Sequence, residues 1–241
     1  MSGGCAPGSH RICKEQHVSQ KPIIHIPQHP AIEQLPAFAG LARQRIVLPK
    51  TPEAFSAAVS EIVAASWIGF DTESKPTFKV GEVSHGPHLI QFATPDTGYL
   101  FQIGTPGCLH AVRAVLQTPE VIKIGFGLKS DRSRLHAKLD IHAASLLDLG
   151  SVLRYQGKKG QVGLRGAVAA ILGARIDKSR RVATSNWANA VLTDAQQAYA
   201  ANDAYAALLV FLGLSPEHQA LLLQYAGTSG QEQRNRLSTG I

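Results

Sequence analysis

The segment Trp67-Ile68-Gly69-Phe70-Asp71-Thr72-Glu73 constrains this chain most, because it is apolar enough for a central strand yet closes on two acids. Side chains two apart on a strand share a face, so Asp71 and Glu73 look the same way. A second acidic feature lies far downstream in Tyr199-Ala200-Ala201-Asn202-Asp203, within a long apolar-periodic segment. Residues four apart stack on one side of a helix, which aligns Tyr199 with Asp203. Asp131 follows the strand-to-helix signal Gly125-Phe126-Gly127. If these elements meet, several carboxylates share one small volume, and each like-charge pair at about 4 Å costs on the order of 4 kcal/mol at an effective dielectric near 20. Divalent cations relieve that repulsion.

Bulk properties set the frame. A chain of 241 residues with 44% hydrophobic and 17% charged content predicts one substantial core with tails. The net charge of +7 suits a polyanionic partner. Only Cys5, Cys13 and Cys108 are present, which is not a disulfide framework, and the expected compartment is the reducing cytoplasm. No apolar stretch has the length needed to cross a bilayer, so no membrane partner and no export are expected.

Residues 1–43 lack periodicity and hold Pro7, Pro22, Pro27, Pro30 and Pro36, which predicts a flexible or loosely docked leader. Cys5, His10, Cys13 and His17 do not follow a usual zinc spacing. The expected domain covers 44–226, and a polar tail occupies 227–241. Within the domain, helices are predicted over 51–65, 106–116, 129–138, 163–172, 194–212 and 216–225. Strands are predicted over 67–72, 88–94, 98–103, 121–126 and 145–149, the second and third joined by the turn at Pro95-Asp96-Thr97-Gly98. Thr51 is the expected cap of the first helix, and Thr193 with Gln196 forms a capping box for the long one. The order is mixed α/β.

Taken singly, each acid has a plain alternative: a solvated strand edge, a helix cap, a surface carboxylate beside a core tyrosine. Together, and in this chain order, they resemble the DEDDy branch of the DnaQ-like 3′-5′ exonucleases, the group of ribonuclease D and the Werner-type exonuclease domain. The matching segments are Phe70-Asp71-Thr72-Glu73, Ile124-Gly125-Phe126-Gly127-Leu128-Lys129-Ser130-Asp131 and Tyr199-Ala200-Ala201-Asn202-Asp203-Ala204. Leu89-Ile90-Gln91-Phe92-Ala93 and Ser185-Asn186-Trp187 leading into Leu192-Thr193 are similar as well, so the resemblance runs from about 44 to 214. In the histidine branch a histidine would stand at Ala198, and Tyr199 therefore specifies the tyrosine branch. The chain departs at Ser74 and at Ala190-Val191, where relatives often carry tryptophan and Arg-Pro; neither touches a candidate ligand. The resemblance implies a ribonuclease H-like fold, a mixed sheet of about five strands flanked by helices, and hydrolysis of DNA or RNA from the 3′ end to nucleoside 5′-monophosphates.

The chemistry suits the residues. Two metals about 3.5–4 Å apart stabilise both oxygens of an in-line phosphodiester displacement. Hard oxygen donors select two Mg²⁺ or Mn²⁺ ions. The expected roles are Asp71 as bridging ligand, Glu73 and Asp203 on the cation that activates water, and Asp131 on the second through water. Tyr199 orients the nucleophile, since a phenol with a pKa near 10 is a poor base at neutral pH. Single-stranded or 3′-end-exposed nucleic acid is the expected partner. Lys75, Phe78 and Lys79 follow the first motif, where a ring can stack on a base and lysines can meet phosphates. Arg154, Lys158, Lys159, Arg165, Arg175, Lys178, Arg180 and Arg181 form a basic run suited to a polymer backbone. Asp148 is expected to cap a helix and Trp187 to anchor packing.

Competing readings are weaker. A dinucleotide site after Gly125 and Gly127 meets Ser130 where a third glycine belongs, and a phosphate loop at Gly157-Lys158 meets Val152 and Lys159. An inactive nucleic-acid-binding or interaction module on the same fold is the alternative. It has no physical reason to keep mutually repelling carboxylates.

Overall fold

The structure is a computed structural model that describes residues 20–77, 81–177 and 179–238. In chain order the elements are β1 (Ile24–Ile26), β2 (Ile46–Val47), α1 (Pro52–Val63), β3 (Trp67–Glu73), β4 (Leu89–Ala93), β5 (Gly98–Gln102), α2 (Cys108–Leu116) and β6 (Ile122–Gly125). They continue as α3 (Leu128–Leu139), β7 (Leu146–Asp148), α4 (Leu149–Val152), β8 (Leu153–Tyr155), α5 (Leu164–Ala167), α6 (Arg180–Ala183), α7 (Asp194–Leu212) and α8 (Pro216–Ser238). A six-stranded mixed sheet runs in the order β2-β5-β4-β3-β6-β7. β3 pairs antiparallel with β4, Asp71 opposite Gln91, and parallel with β6, Gly69 opposite Ile124. This is the ribonuclease H-like α/β class expected from the sequence, with β2 as an extra edge strand. Two residues carry no alternation for a sequence reading to detect.

Strand alternation sorts the core. Ile68, Phe70, Ile90, Phe92 and Phe101 pack with Phe55 and Ile62 of α1, Val112 and Leu116 of α2, and Leu128 and Leu135 of α3. Phe101 is edge-on to Phe55 at 5.0 Å and to Phe92 at 5.4 Å between ring centroids. The opposite face receives α7, where Leu89 and Leu100 meet Trp187, Leu192, Ala200 and Ala201. Helices therefore cover both sides.

Local chemistry explains the helix starts. Thr51 accepts from the Ala54 N–H at 3.3 Å. At α7 the Thr193 hydroxyl accepts from the Gln196 N–H at 3.2 Å, and the Gln196 amide oxygen accepts from the Thr193 N–H at 3.0 Å. The Gln196 amide also donates to Ser185 Oγ at 2.9 Å, so the Ser185-Asn186-Trp187 stretch anchors the start of α7. The expected helix over 163–172 divides instead, with α5 running into a π-helical turn at Val168–Leu172.

The described parts of both termini belong to the folded structure. Residues 20–43, assigned by sequence to the leader, pack on the domain: β1 pairs with β8, the Phe38 N–H donates to the Arg175 carbonyl at 2.8 Å, and the Leu41 N–H donates to Asn202 Oδ1 at 2.8 Å. Ile24 and Ile26 alternate inward, a pattern too brief to stand out among the prolines. The segment from Gly227 to Ser238, expected as tail, continues helix α8, its polar composition offering no apolar stripe. Residues 1–19, including Cys5, His10, Cys13 and His17, lie outside the described residues.

One buried charge stands apart from all this. Lys123 on β6 is fully buried, its Nζ donates to the Thr118 carbonyl at 2.8 Å, and desolvation lowers its pKa from 10.5 to about 7. The unfolded chain holds this proton up to about pH 10 while the folded chain releases it near pH 7, so stability rises with pH across that window. Lys123→Met is expected to raise unfolding free energy at pH 7 by up to about 5 kcal/mol and to flatten the slope between pH 7 and 10. Urea titrations at several pH values measure it; an unchanged slope in the variant would rule this out.

Candidate active site

The site forms where β3 ends and α7 crosses it. Asp71 and Glu73 project from one face of β3, half-buried, and Asp203 reaches them from α7 with its side chain buried. One carboxylate oxygen from each of the three lies within 4.8 Å of the others. Such closeness requires the helix to lie against the strand, and Gly69 with Ala204 makes the contact: a methyl at Gly69 would run into the Ala204 carbonyl.

Tyr199 stands one turn before Asp203, and its hydroxyl hydrogen-bonds the Asp203 carboxylate. Burial first, then the negative charges of Asp203, Glu73 and Asp71, raise its pKa far above that of an ordinary phenol. Tyr199 therefore stays protonated at neutral pH. The fully buried Trp187 packs its ring 6.0 Å from the Tyr199 ring and donates from Nε1 to the Ala183 carbonyl at 3.1 Å, the anchor expected of it.

Asp131 arrives differently. It sits in the first turn of α3, behind the left-handed Gly127, and lies outside the group of three carboxylates. Thr72, between Asp71 and Glu73, donates its hydroxyl to Asp131 Oδ1 in a short 2.5 Å hydrogen bond. Burial raises the Asp131 pKa, opposed by the Thr72 hydrogen bond and the Arg134 charge. Asp148 does not cap α4 with its side chain as expected; its Oδ1 accepts from the Gly127 N–H at 2.9 Å and so steadies the turn that presents Asp131. Sequence reasoning missed Thr72 and gave Asp148 another role, that of a helix cap. Thr72 was detectable as a polar group on the inward face shared by Ile68 and Phe70.

The donor set fits hard divalent cations. Three crowded carboxylates repel one another unless positive charge lies between them, and all-oxygen donors suit Mg²⁺ or Mn²⁺. Gln91, fully buried and in register with Asp71, has both amide atoms without a hydrogen-bond partner among the described residues. Polar groups are buried that way at a cost of about 1–3 kcal/mol, so a further polar group at this spot is chemically consistent.

Beside the acids lies a cleft of about 340 Å³ lined by Phe38, Arg175, Ser179, Tyr199, Asn202 and Asp203. Lys75 is exposed two residues beyond Glu73. Phe78, Lys79 and Lys178 lie outside the described residues. Lys158, Lys159, Arg180 and Arg181 are exposed, Lys158 bonding Gln28. The basic run is not continuous, because Arg165 pairs with Glu33, Arg175 pairs with Asp177, and Arg154 donates to the Gly150 and Leu153 carbonyls. Leader residue Glu33 thus neutralises part of it.

A mixed sheet with acids gathered at the end of its central strand defines a nuclease-type site on a ribonuclease H-like fold. Residues 46–219 match the family model described as 3′-5′ exonuclease, and the chain belongs to that family. It is 30% identical over 146 residues to the bifunctional 3′-5′ exonuclease/ATP-dependent helicase WRN of Mus musculus, covering 60% of this chain and 10% of the relative. It is 31% identical over 160 residues to ribonuclease D of Gluconacetobacter diazotrophicus, covering 65% and 39%. The chain thus spans less than half the length of these relatives. The solved Nibbler EXO domain of Aedes aegypti superposes with a TM-score of 0.62 at 26% identity, covering 78% of this chain and 94% of that one.

Gly69→Ala is expected to push α7 off β3, lowering stability by about 1–3 kcal/mol and weakening Mn²⁺ binding through the displaced Asp203. Denaturant titration and Mn²⁺ calorimetry on the same protein measure the two effects; wild-type values for both would show that the contact is not required.

Proposed function

We propose that the protein is a metal-dependent 3′-5′ exonuclease that releases nucleoside 5′-monophosphates from DNA or RNA. The observation that carries the reading is the convergence of Asp71, Glu73 and Asp203 under the Tyr199 hydroxyl, supported by membership of the exonuclease family. Bound Mg²⁺ or Mn²⁺ supplies Lewis acidity, which lowers the pKa of water and offsets charge on the attacking and leaving oxygens. Asp71, Glu73 and Asp203 would hold one cation, and Asp131, buried in the first turn of α3, would assist with a second. Tyr199 keeps its proton, directs its hydroxyl into the acid cluster and orients the attacking water by hydrogen bonding. Trp187 holds that ring in place.

The substrate is a single strand or an exposed 3′ end, steered by the positive net charge and held through its phosphates by Lys75, Lys158, Lys159, Arg180 and Arg181. The cleft beside Tyr199 and Asp203 gives the terminal nucleotide room. Cytoplasmic residence, from the sparse cysteines, belongs to the same proposal.

End-labelled DNA and RNA of matched sequence, each incubated with and without Mg²⁺ or Mn²⁺ beside Asp71→Ala, test this. Stepwise shortening from the 3′ end, metal-dependent and absent in the variant, is expected; binding without shortening would instead favour an inactive module. Tyr199→Phe is expected to lower turnover at least about 100-fold, the lower range for a positioned proton-transfer or orienting group, while Mn²⁺ affinity stays the same. Single-turnover kinetics with Mn²⁺ calorimetry separate the two, and near-normal turnover would remove Tyr199 from the mechanism.

A further inference from the structure

Helix α3 ends on a left-handed residue that is not glycine. Asp140 has φ of 51°, a conformation that glycine or asparagine usually fills at this position. The Asp140 N–H donates to the His136 carbonyl and the Ile141 N–H to the Leu135 carbonyl, each at 3.1 Å, which closes the helix and reverses the chain. Arg113 clamps the turn, donating to the Leu139 and Asp140 carbonyls at 2.6 and 2.9 Å. Its guanidinium is engaged with backbone oxygens.

The reversal carries His142 back beside His136, the two imidazoles lying 4.2 Å apart between centroids and tilted by 39°. One ligand atom from each of His136, Asp140 and His142 lies within 4.8 Å of the other two. Beyond the ring contact, these three side chains make no hydrogen bond or ion pair with another side chain among the described residues. A glycine would have served the backbone; aspartate adds a carboxylate aimed at two imidazoles.

We propose that His136, Asp140 and His142 form a surface site for a divalent transition-metal ion of the zinc class, separate from the acid cluster on β3 and α7. The donors decide the class. Two imidazoles and one carboxylate suit Zn²⁺, with water completing a tetrahedron, whereas Mg²⁺ prefers oxygen alone. The turn is organised before any ion arrives, since Arg113 and the two helix-closing hydrogen bonds hold its backbone. An ion here ties the last turn of α3 to the chain entering β7, and α3 is the helix whose first turn presents Asp131. Occupancy therefore stabilises the folded state by mass action.

The test uses the full chain and Zn²⁺ competed against a chromogenic chelator. Asp71→Asn with Asp203→Asn weakens the carboxylate cluster as a rival, and one equivalent of bound Zn²⁺ is expected to persist. Adding His136→Gln and His142→Gln is expected to weaken that equivalent by more than the roughly 10–100-fold that loss of an outer partner costs. Excess Mg²⁺ is expected not to displace it. Asp140→Asn, which suits the left-handed backbone while removing the charged donor, is expected to weaken binding with the helix intact by circular dichroism. Zn²⁺ bound equally well after both histidine changes would place it elsewhere, the cysteine- and histidine-bearing leader included, and would overturn the proposal. So would the absence of Zn²⁺ binding to the unaltered chain.

Discussion

Everything at this site depends on how near a helix can come to a strand. The α7 backbone lies against β3 because Gly69 has no side chain and because Ala200, Ala201 and Ala204 face the sheet. Asp203 is a short side chain, and it reaches Asp71 and Glu73 only at that separation. The same closeness of α7 to the sheet recurs at Gly98 on β5, where a Cβ would lie 3.0 Å from the Ala201 Cβ. Glycine on the strand and alanine on the helix thus convert secondary structure into a site, at some loss of apolar burial.

That geometry gathers like charges, and the surrounding structure divides the cost. Asp71 accepts from the Thr72 N–H at 2.9 Å while the Thr72 hydroxyl serves Asp131. One threonine therefore stabilises acids on both sides of the strand. Burial first, and then the three crowded acids, raise the pKa of Tyr199, which keeps a phenol as a hydrogen-bond donor in a strongly negative pocket. A tyrosine in water would be less dependably neutral as pH rises. The same negative field that helps keep Tyr199 protonated is the one a divalent cation would offset.

Much of this was legible in the residues. The strand through Asp71, the β4–β5 hairpin, the capping box at Thr193 and the full span of α7 follow from alternation, turn residues and caps. Tyr199 and Asp203 needed only helical spacing. What escaped depends on contacts distant in sequence. Thr72 meets Asp131 across 59 residues, Asp148 meets Gly127 across 21, and Leu41 meets Asn202 across 161. No local pattern encodes those distances. The docked leader escaped for a related reason, since a three-residue strand between prolines pairs with β8 only once the rest of the chain is folded. The Glu33 pairing with Arg165 likewise turns an apparent cationic track into separate patches.

Helix α3 would link the two proposed kinds of cation chemistry through one element. Its first turn offers Asp131, an oxygen donor oriented by Thr72, and its last turn offers imidazoles arranged by the left-handed Asp140. The 12-residue helix spans about 18 Å at about 1.5 Å per residue, so direct repulsion between ions at its two ends is screened to a small term in water. Selectivity does not need distance, because oxygen-only and imidazole-rich donor sets discriminate between hard and borderline ions. Coupling, if the ends communicate, must therefore run through the position of the helix itself. Leu128 and Leu135, both buried against the sheet, fix that position. A shift of α3 along its axis would disturb those contacts and the Thr72 hydrogen bond together, so order at the far turn supports the placement of Asp131.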